Sequence, residues 1–554
     1  MATSNTSAPS NRTAAPGPSK ASAVKLTVFT LAVLNVTAVV SLRGLPSEAV
    51  YGLTSAFYYI FAAIFFLIPV AIVAAELATA WPQKGGVFRW VGEAFGPRWG
   101  FLAIFLLWLQ TTIWFPTVLT FGAVAIAFAG PNMKWDEALA ANKLYTILIV
   151  LGVYWAATLV TLRGLKSAST IAKWGGIIGT IIPAAILIVM GFVYYFSGRH
   201  IEVQMAWHDL IPDFTNFNNL VLAAGIFLFY AGMEMNAIHV KDLDNPTRNY
   251  PTAILISSIL TVAIFVLGTL AIAFVIPSSQ INLVQSLLIT YDDFFRVFGI
   301  SWASPIMAIA LALGVLGGVT VWVAGPSSAL LEVGRAGYLP PFFQKTNKHG
   351  AASHIILTQA LIATALSTMF VVLPSVQAAY QILSQLTVTL YLIMYLLMFA
   401  AGISLRHTEP HTPRPYKVPF GAAGMWVFAG VGLVGATIAF LLSFVPPAQI
   451  SVGKPSTYVA FLIAGNVIFV GIALIIYAMR KPHWTTAEGA ADFEPFGWQV
   501  EGRHPTAVQG TVPHAGSVTA PATASPAGTA TTAPTATTAN AQTAAARARP
   551  PSAS

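Results

Sequence analysis

The sequence predicts an all-α polytopic membrane protein of about twelve transmembrane helices. Three observations carry that expectation. Of the 554 residues, 56% are hydrophobic and only 8% charged, whereas a soluble domain carries about 25% charged residues. So few charges cannot cover a surface that faces water, and the solvent around most of the chain must be lipid. Apolar segments of roughly 20 residues, the length that crosses a bilayer, recur along the chain. Finally, no Asp, Glu, Lys or Arg occurs between Arg248 and Asp292, nor between Lys348 and Arg406. The second stretch is long enough for two helices, with a turn near Pro374 and Ser375.

Taken in order, the first expected span runs from Leu26 to about Gly52, followed by Ala56 to Thr79, Trp99 to Phe128, Leu144 to Leu162 and Ser169 to Phe196. The sixth to eighth are Phe217 to His239, Pro251 to Ile276 and Trp302 to Leu331. The last four are His354 to Leu373, Ala378 to Leu405, Met425 to Val445 and Tyr458 to Met479. The segment from about Ile281 to Phe298 has apolar residues at near-helical spacing and is expected as a short amphipathic helix on the outer surface. Residues 1–24 and 481–554 are expected to be disordered cytoplasmic ends around a transmembrane domain over 25–480. From His504 onward the tail is Ala, Thr and Pro with little else, a composition that cannot bury enough apolar area to offset ordering entropy.

The net charge of +9 resembles a nucleic-acid signal, but its distribution excludes that partner. The basic residues sit singly or in pairs beside apolar segments, as membrane topology places them. With both termini inside, the cytoplasmic segments hold Lys84, Arg89 and Arg98; Arg163, Lys166 and Lys173; Lys241 and Arg248; Arg335, Lys345 and Lys348; Arg406, Arg414 and Lys417; and Arg480 and Lys481. The outer loops hold only Lys134, Lys143, Arg199, Arg296 and Lys454. Met1 to Lys20 contain no apolar core, so the first transmembrane helix is expected to serve as the insertion signal.

Two spans are interrupted. The first carries Asn35-Val36-Thr37-Ala38-Val39-Val40-Ser41-Leu42-Arg43-Gly44-Leu45-Pro46, and the sixth carries Phe229-Tyr230-Ala231-Gly232-Met233-Glu234-Met235-Asn236. Matching interruptions in the two halves of a membrane chain point to a transporter's binding site. An unwound turn frees backbone N–H and C=O groups that lipid cannot satisfy. The N–H groups, at the positive end of a half-helix, can hold a carboxylate, and the carbonyls can hold an ammonium group. A zwitterionic amino acid supplies both, which makes Ala38, Val39, Val40, Ser41, Tyr230, Ala231 and Gly232 the candidate substrate-binding residues.

Several charged side chains need a reason to be where they are. Glu234, near the second break, reads either as a proton carrier or gate, or as a carboxylate capping the half-helix that follows. Lys173 reads either as an ammonium that stabilises the bundle in place of a sodium ion or as a lysine snorkelling to the cytoplasm. Arg43 faces the outer vestibule to attract a substrate carboxylate, or it pairs with Glu48. Glu76 and Glu332 end helices near the inner face and read as interfacial. Trp322 lines the pocket from the eighth helix, or packs in the bundle.

Enzyme chemistry is not indicated. There is no cysteine and hence no thiolate nucleophile or thiolate metal site. There is no paired-His metal motif, phosphate-binding Gly loop or Gly-x-Ser-x-Gly elbow. His239, Asp242 and Asp244, at a helix end beside Pro246, read as a polar turn. No cofactor or metal is expected.

The chain resembles the amino acid–polyamine–organocation transporters, and within them the bacterial glutamate/γ-aminobutyrate antiporter branch. The likeness covers about Leu26 to Arg480. It is carried by Ser41-Leu42-Arg43-Gly44-Leu45-Pro46, by Ala75-Glu76-Leu77-Ala78-Thr79 leading into Gly85-Gly86-Val87-Phe88-Arg89-Trp90, and by Phe95-Gly96-Pro97-Arg98-Trp99-Gly100-Phe101. Further carriers are Gly232-Met233-Glu234, Asn245-Pro246-Thr247-Arg248-Asn249-Tyr250-Pro251, Gly325-Pro326-Ser327 and Arg414-Pro415-Tyr416-Lys417-Val418-Pro419.

The resemblance implies two inverted repeats of five helices, here 26–200 and 215–405, then two extra helices over 420–480. It implies a bacterial inner-membrane location and alternating access without ATP. In relatives, a lysine at the position of Lys173 takes the place of a sodium ion and the glutamate matching Glu234 is linked to gating; in arginine/agmatine-exchanging relatives a tryptophan matching Trp322 lines the pocket. Two departures stand out. Many relatives have a Gly-rich turn where this chain has Ala38-Val39-Val40-Ser41. The acid-resistance antiporter has an ordered C-terminal plug, which the Ala/Thr/Pro tail does not resemble, although Glu488 to Glu501 leaves room for a remnant.

The function expected is therefore secondary active amino-acid transport, by exchange or by coupling to protons, with glutamate and γ-aminobutyrate as first substrates. A cationic amino-acid or polyamine permease is the alternative within transport; a membrane channel or sensor is the alternative outside it.

Overall fold

The computed structural model describes residues 27–130, 132–163, 171, 174–212, 224–237, 243–447 and 453–500. Regular structure among the described residues is helical throughout. The first span consists of α1 (Val28–Val39) and α2 (Leu45–Ala49), separated by extended backbone at Val40 and Ser41 and one 3-10 turn, Leu42–Gly44. Then come α3 (Thr54–Ala80), the short α4 (Val87–Phe95), α5 (Pro97–Ala127), α6 (Met133–Ala140), α7 (Lys143–Leu162) and α8 (Trp174–Phe196).

The sixth span is again two pieces, α9 (Gly225–Tyr230) and α10 (Met233–Ala237). It is followed by α11 (Pro246–Val275), α12 (Ser286–Val297) and α13 (Ser304–Arg335). The last long helices are α14 (Ser353–Val372), α15 (Val376–Thr408), α16 (Gly421–Leu442) and α17 (Pro455–Ala478). Among the described residues, ten helices are long and apolar enough to cross a membrane. The two remaining spans, the first and the sixth, are the two that break. The protein is an all-α polytopic membrane protein.

Burial orders the bundle. In the most apolar window of α5, 94% of residues are buried, against 17% in α17, so α5 runs through the core and α17 lies at the edge, where lipid replaces protein contacts. Helices in lipid gain little from hydrophobic burial against one another and pack through small residues instead. The crossing of α8 and α13 shows this: a Cβ on Gly179 would stand 2.2 Å from the Gly314 Cα.

Glu76 departs from its interfacial expectation. It is 1% exposed, near the end of α3. Arg406 Nη1 donates to its Oε1 at 2.6 Å, Val418 N donates to its Oε2 at 2.6 Å, and Arg414 Nε lies 3.1 Å from Oε1. The segment after α15 folds back over the end of α3 and buries the carboxylate, which is tolerated because two guanidinium groups and an amide surround it.

The chain after Lys481 also departs from expectation as far as Val500. Thr485 pairs with Ala336, and Thr486 N donates to the Arg335 carbonyl at 3.1 Å. Two short helices follow, α18 (Ala487–Asp492) and α19 (Gly497–Val500). Arg89 on α4 donates to the carbonyls of Glu494 and Pro495 at 2.6 and 2.9 Å, and Gly497 N donates to Glu93 Oε2 at 3.0 Å. Phe496, 1% exposed, lies against Phe88 with ring centroids 5.6 Å apart. A few aromatic anchors in a polar stretch supply the apolar area that average composition hides. Residues 501–554 lie outside the described residues.

Deleting 501–554 is expected to leave the melting temperature of the detergent-purified protein unchanged. Deleting from Pro482 removes the Arg89 and Phe496 contacts and is expected to lower it by several degrees. Thermal unfolding of the two truncates checks this.

Candidate functional site

The break in the first span follows from its residues. Pro46 has no N–H, so it suits the first turn of a new helix, where that donor would go unused. The helix ends at Val39 and restarts with Pro46 in the first turn of α2. Between them Val40 (φ −70°, ψ 119°) and Ser41 (φ −133°, ψ 114°) are extended. In the sixth span Ala231 is extended (φ −72°, ψ 145°). Gly232 follows at φ 119°, a conformation that residues with a Cβ rarely adopt.

The breaks belong to one neighbourhood. α1 packs against α10, and the 3-10 turn packs against α9. Gly44 is placed by that contact: a Cβ there would stand 2.4 Å from Phe229 Cζ. Ala38 and Val39 lie in the last turn of α1, and Val39 and Val40 are buried while Ser41 is half-buried. Tyr230 is fully buried. Its hydroxyl donates to the Tyr59 carbonyl at 3.1 Å, which fastens α9 to α3.

Glu234 holds the second break together. Tyr391 donates to Oε1 at 2.5 Å and Tyr395 to Oε2 at 2.6 Å. The Gly232 N–H is directed at Glu234 Oε2, 3.2 Å away, and at the Tyr395 hydroxyl, 3.0 Å away. The carboxylate thus supplies a partner for an amide that the helix cannot satisfy, as a cap does. Tyr391 and Tyr395 went unnoticed in the sequence. Their spacing of four residues on α15, in a span free of charge, places both hydroxyls on one helix face and was the signal available.

Arg43 does not pair with Glu48. Five residues along a helix turn a side chain by roughly 140°, so the two leave the first span on different faces. Arg43 is 3% exposed. Its Nη1 lies 3.0 Å from the Tyr380 hydroxyl, to which it donates. Its guanidinium carbon stands 5.4 Å from the Trp114 ring centroid, 5.9 Å from that of Tyr380 and 6.0 Å from that of Phe229. This is an aromatic cage from α5, α15 and α9, in which cation–π attraction replaces part of the lost hydration. Nε finds no hydrogen-bond partner, and no carboxylate among the described residues pairs with this guanidinium. Trp322 is half-buried and joins the cage through Trp114, ring centroids 5.9 Å apart. Lys173 lies outside the described residues.

The arrangement offers a buried cation, two irregular backbone turns and a tyrosine-held carboxylate within one part of the bundle. Among the described residues no group of His, Asp and Glu is arranged to hold a metal ion.

Residues 26–469 match the amino acid permease family. The chain is 40% identical over 450 residues to an uncharacterised transporter of Legionella pneumophila, covering 81% of this chain and 95% of that protein. It is 30% identical over 471 residues to a glutamate/gamma-aminobutyrate antiporter of Lactococcus lactis, covering 84% and 93%. A probable agmatine/putrescine antiporter of the same species is 24% identical over 455 residues, covering 80% and 94%. The chain belongs to the amino acid permease family: it is a multi-pass membrane transporter, not an enzyme.

Proposed function

We propose that the chain is a secondary active amino-acid transporter that exchanges substrates by alternating access, with the substrate held where the first and sixth spans break. The observation that carries this reading is the pair of breaks themselves, packed through Gly44 and Phe229, beside a buried guanidinium that has no carboxylate of its own. Breaks in the first and sixth spans, five apart, are what two repeats of five helices produce. The extended backbone at Val40, Ser41 and Ala231 interrupts the two helices, and the groups it leaves outside the helical ladder suit the two charged ends of an amino acid.

Arg43 indicates the charge of the substrate. A guanidinium enclosed by aromatic rings attracts a carboxylate strongly, because charge-assisted hydrogen bonds gain weight away from water. Glutamate and γ-aminobutyrate both carry one, in keeping with the Lactococcus antiporter. A polyamine carries none and would meet a positive charge at Arg43, so the cationic reading suggested by the agmatine/putrescine relative is the weaker. Glu234 fits a gating role: releasing Tyr391, Tyr395 or the Gly232 amide loosens the second break. The excess of Lys and Arg in alternate loops supports a bacterial inner-membrane location with both termini in the cytoplasm.

Exchange is tested in proteoliposomes. Uptake of labelled glutamate is expected to rise when unlabelled amino acid is present inside; uptake indifferent to both internal substrate and a pH gradient contradicts either coupling. Arg43→Gln removes a charged hydrogen bond of about 1.5–3 kcal/mol, so KM for a carboxylate substrate is expected to rise roughly tenfold to a hundredfold. An unchanged KM removes Arg43 from recognition. Glu234→Gln is expected to keep the fold and alter the pH dependence of exchange; an unaltered profile leaves Glu234 as a helix cap and nothing more.

A further inference from the structure

Glu48 is the buried carboxyl that the transport cycle proposed above leaves without a task. It sits on α2, the five-residue half-helix beyond the first break, and is 0% exposed. The Ser47 hydroxyl stands 3.2 Å from Oε1, but the same hydroxyl lies 2.6 Å from the Gly44 carbonyl. Its one proton cannot serve both at full strength. Oε2 accepts no hydrogen bond from any described residue. No Lys, Arg or His among the described residues forms an ion pair with it.

The neighbours leave little to stabilise a charge. From α3 the titratable group that faces it is Tyr59, and from α9 it is Tyr230. Both hydroxyls are engaged elsewhere, Tyr59 with Thr269 at 3.1 Å and Tyr230 with the Tyr59 carbonyl. α11 packs on α2 through Leu45, which fills the space at Gly268. α12 also touches α2, and its acidic residues Asp292 and Asp293 are paired with Arg296. The other charge on the first span, Arg43, is taken into its aromatic cage. From α9, Gly225 brings bare backbone close: a Cβ there would stand 3.9 Å from Glu48 Oε1.

An ionised carboxylate in such a place has only the shared Ser47 hydroxyl to offset the loss of water. We propose that Glu48 is a proton-binding site, separate from Glu234. It is held as the neutral acid while α2 is packed against α3, α9 and α11, and is free to ionise only when α2 moves and admits water. Opening of the short half-helix is then linked to release of one proton. The bond made and broken is the Glu48 carboxyl O–H, and the proton passes to water at the opened face. Proton linkage to transport rests on the transport reading; the protonation state of the closed protein does not.

The two are tested apart. Infrared spectra of the full chain in lipid are compared for wild type, Glu48→Gln and Glu48→Asp at neutral pH. The expected result is a carboxylic acid C=O band in wild type that is lost in Glu48→Gln and shifted in Glu48→Asp. A wild-type minus Glu48→Gln difference with ionised-carboxylate bands instead overturns the proposal. If Glu48→Gln does not fold, the presence or absence of the shifted acid band in Glu48→Asp decides the same question. In proteoliposomes, the response of exchange to external pH is expected to flatten in Glu48→Gln, and a profile matching wild type overturns the linkage. Wild-type vesicles that exchange no amino acid contradict the transport reading and leave the infrared result standing.

Discussion

A backbone amide at mid-membrane cannot turn to water, so a helix that breaks there must find partners for its freed groups within the protein. That constraint explains most of what surrounds the sixth span. Gly232 adopts a conformation suited to glycine, and its N–H is taken up by Glu234 and Tyr395. Tyr391 and Tyr395 then hold the carboxylate from α15. Remove any member and a buried polar group is orphaned, at a cost of several kcal/mol in hydrocarbon.

The first span meets the same constraint with different means. Its irregular turn is short, and a 3-10 turn and Pro46 restart the helix within a few residues. Its two charges are sent to different places. Arg43 enters a cage of Trp114, Phe229 and Tyr380, and Glu48 is fully buried with one hydroxyl for company. Had they neutralised each other, the span would carry an inert ion pair. Kept apart, one is suited to an anionic ligand and the other to a proton.

The spans were legible because lipid imposes a length and an apolar composition that few other environments demand. The ten long helices lie close to the segments expected, and the two short ones were marked by Gly, Pro and polar residues in otherwise apolar runs. The amphipathic segment expected over Ile281 to Phe298 also formed a helix, Ser286–Val297. What failed were judgements that depend on which faces meet. Arg43 and Glu48 are near in sequence, so a pair looked natural, but helical geometry separates them. Glu76 looked interfacial because it ends a helix, yet Arg406 and Arg414, far along the chain, bury it. Tyr391 and Tyr395 carried no charge and drew no notice. The packed stretch up to Val500 was averaged into a polar tail, although Phe493, Phe496 and Trp498 marked it.

The central claim is that the first break contacts substrate. Because the chain has no cysteine, Ser41→Cys introduces a single thiol at the extended turn, and Ser197→Cys an exposed control. The account predicts that saturating transported amino acid slows maleimide modification of the thiol at position 41 and leaves that at 197 unchanged. Equal rates at position 41 with and without every transported amino acid would contradict it.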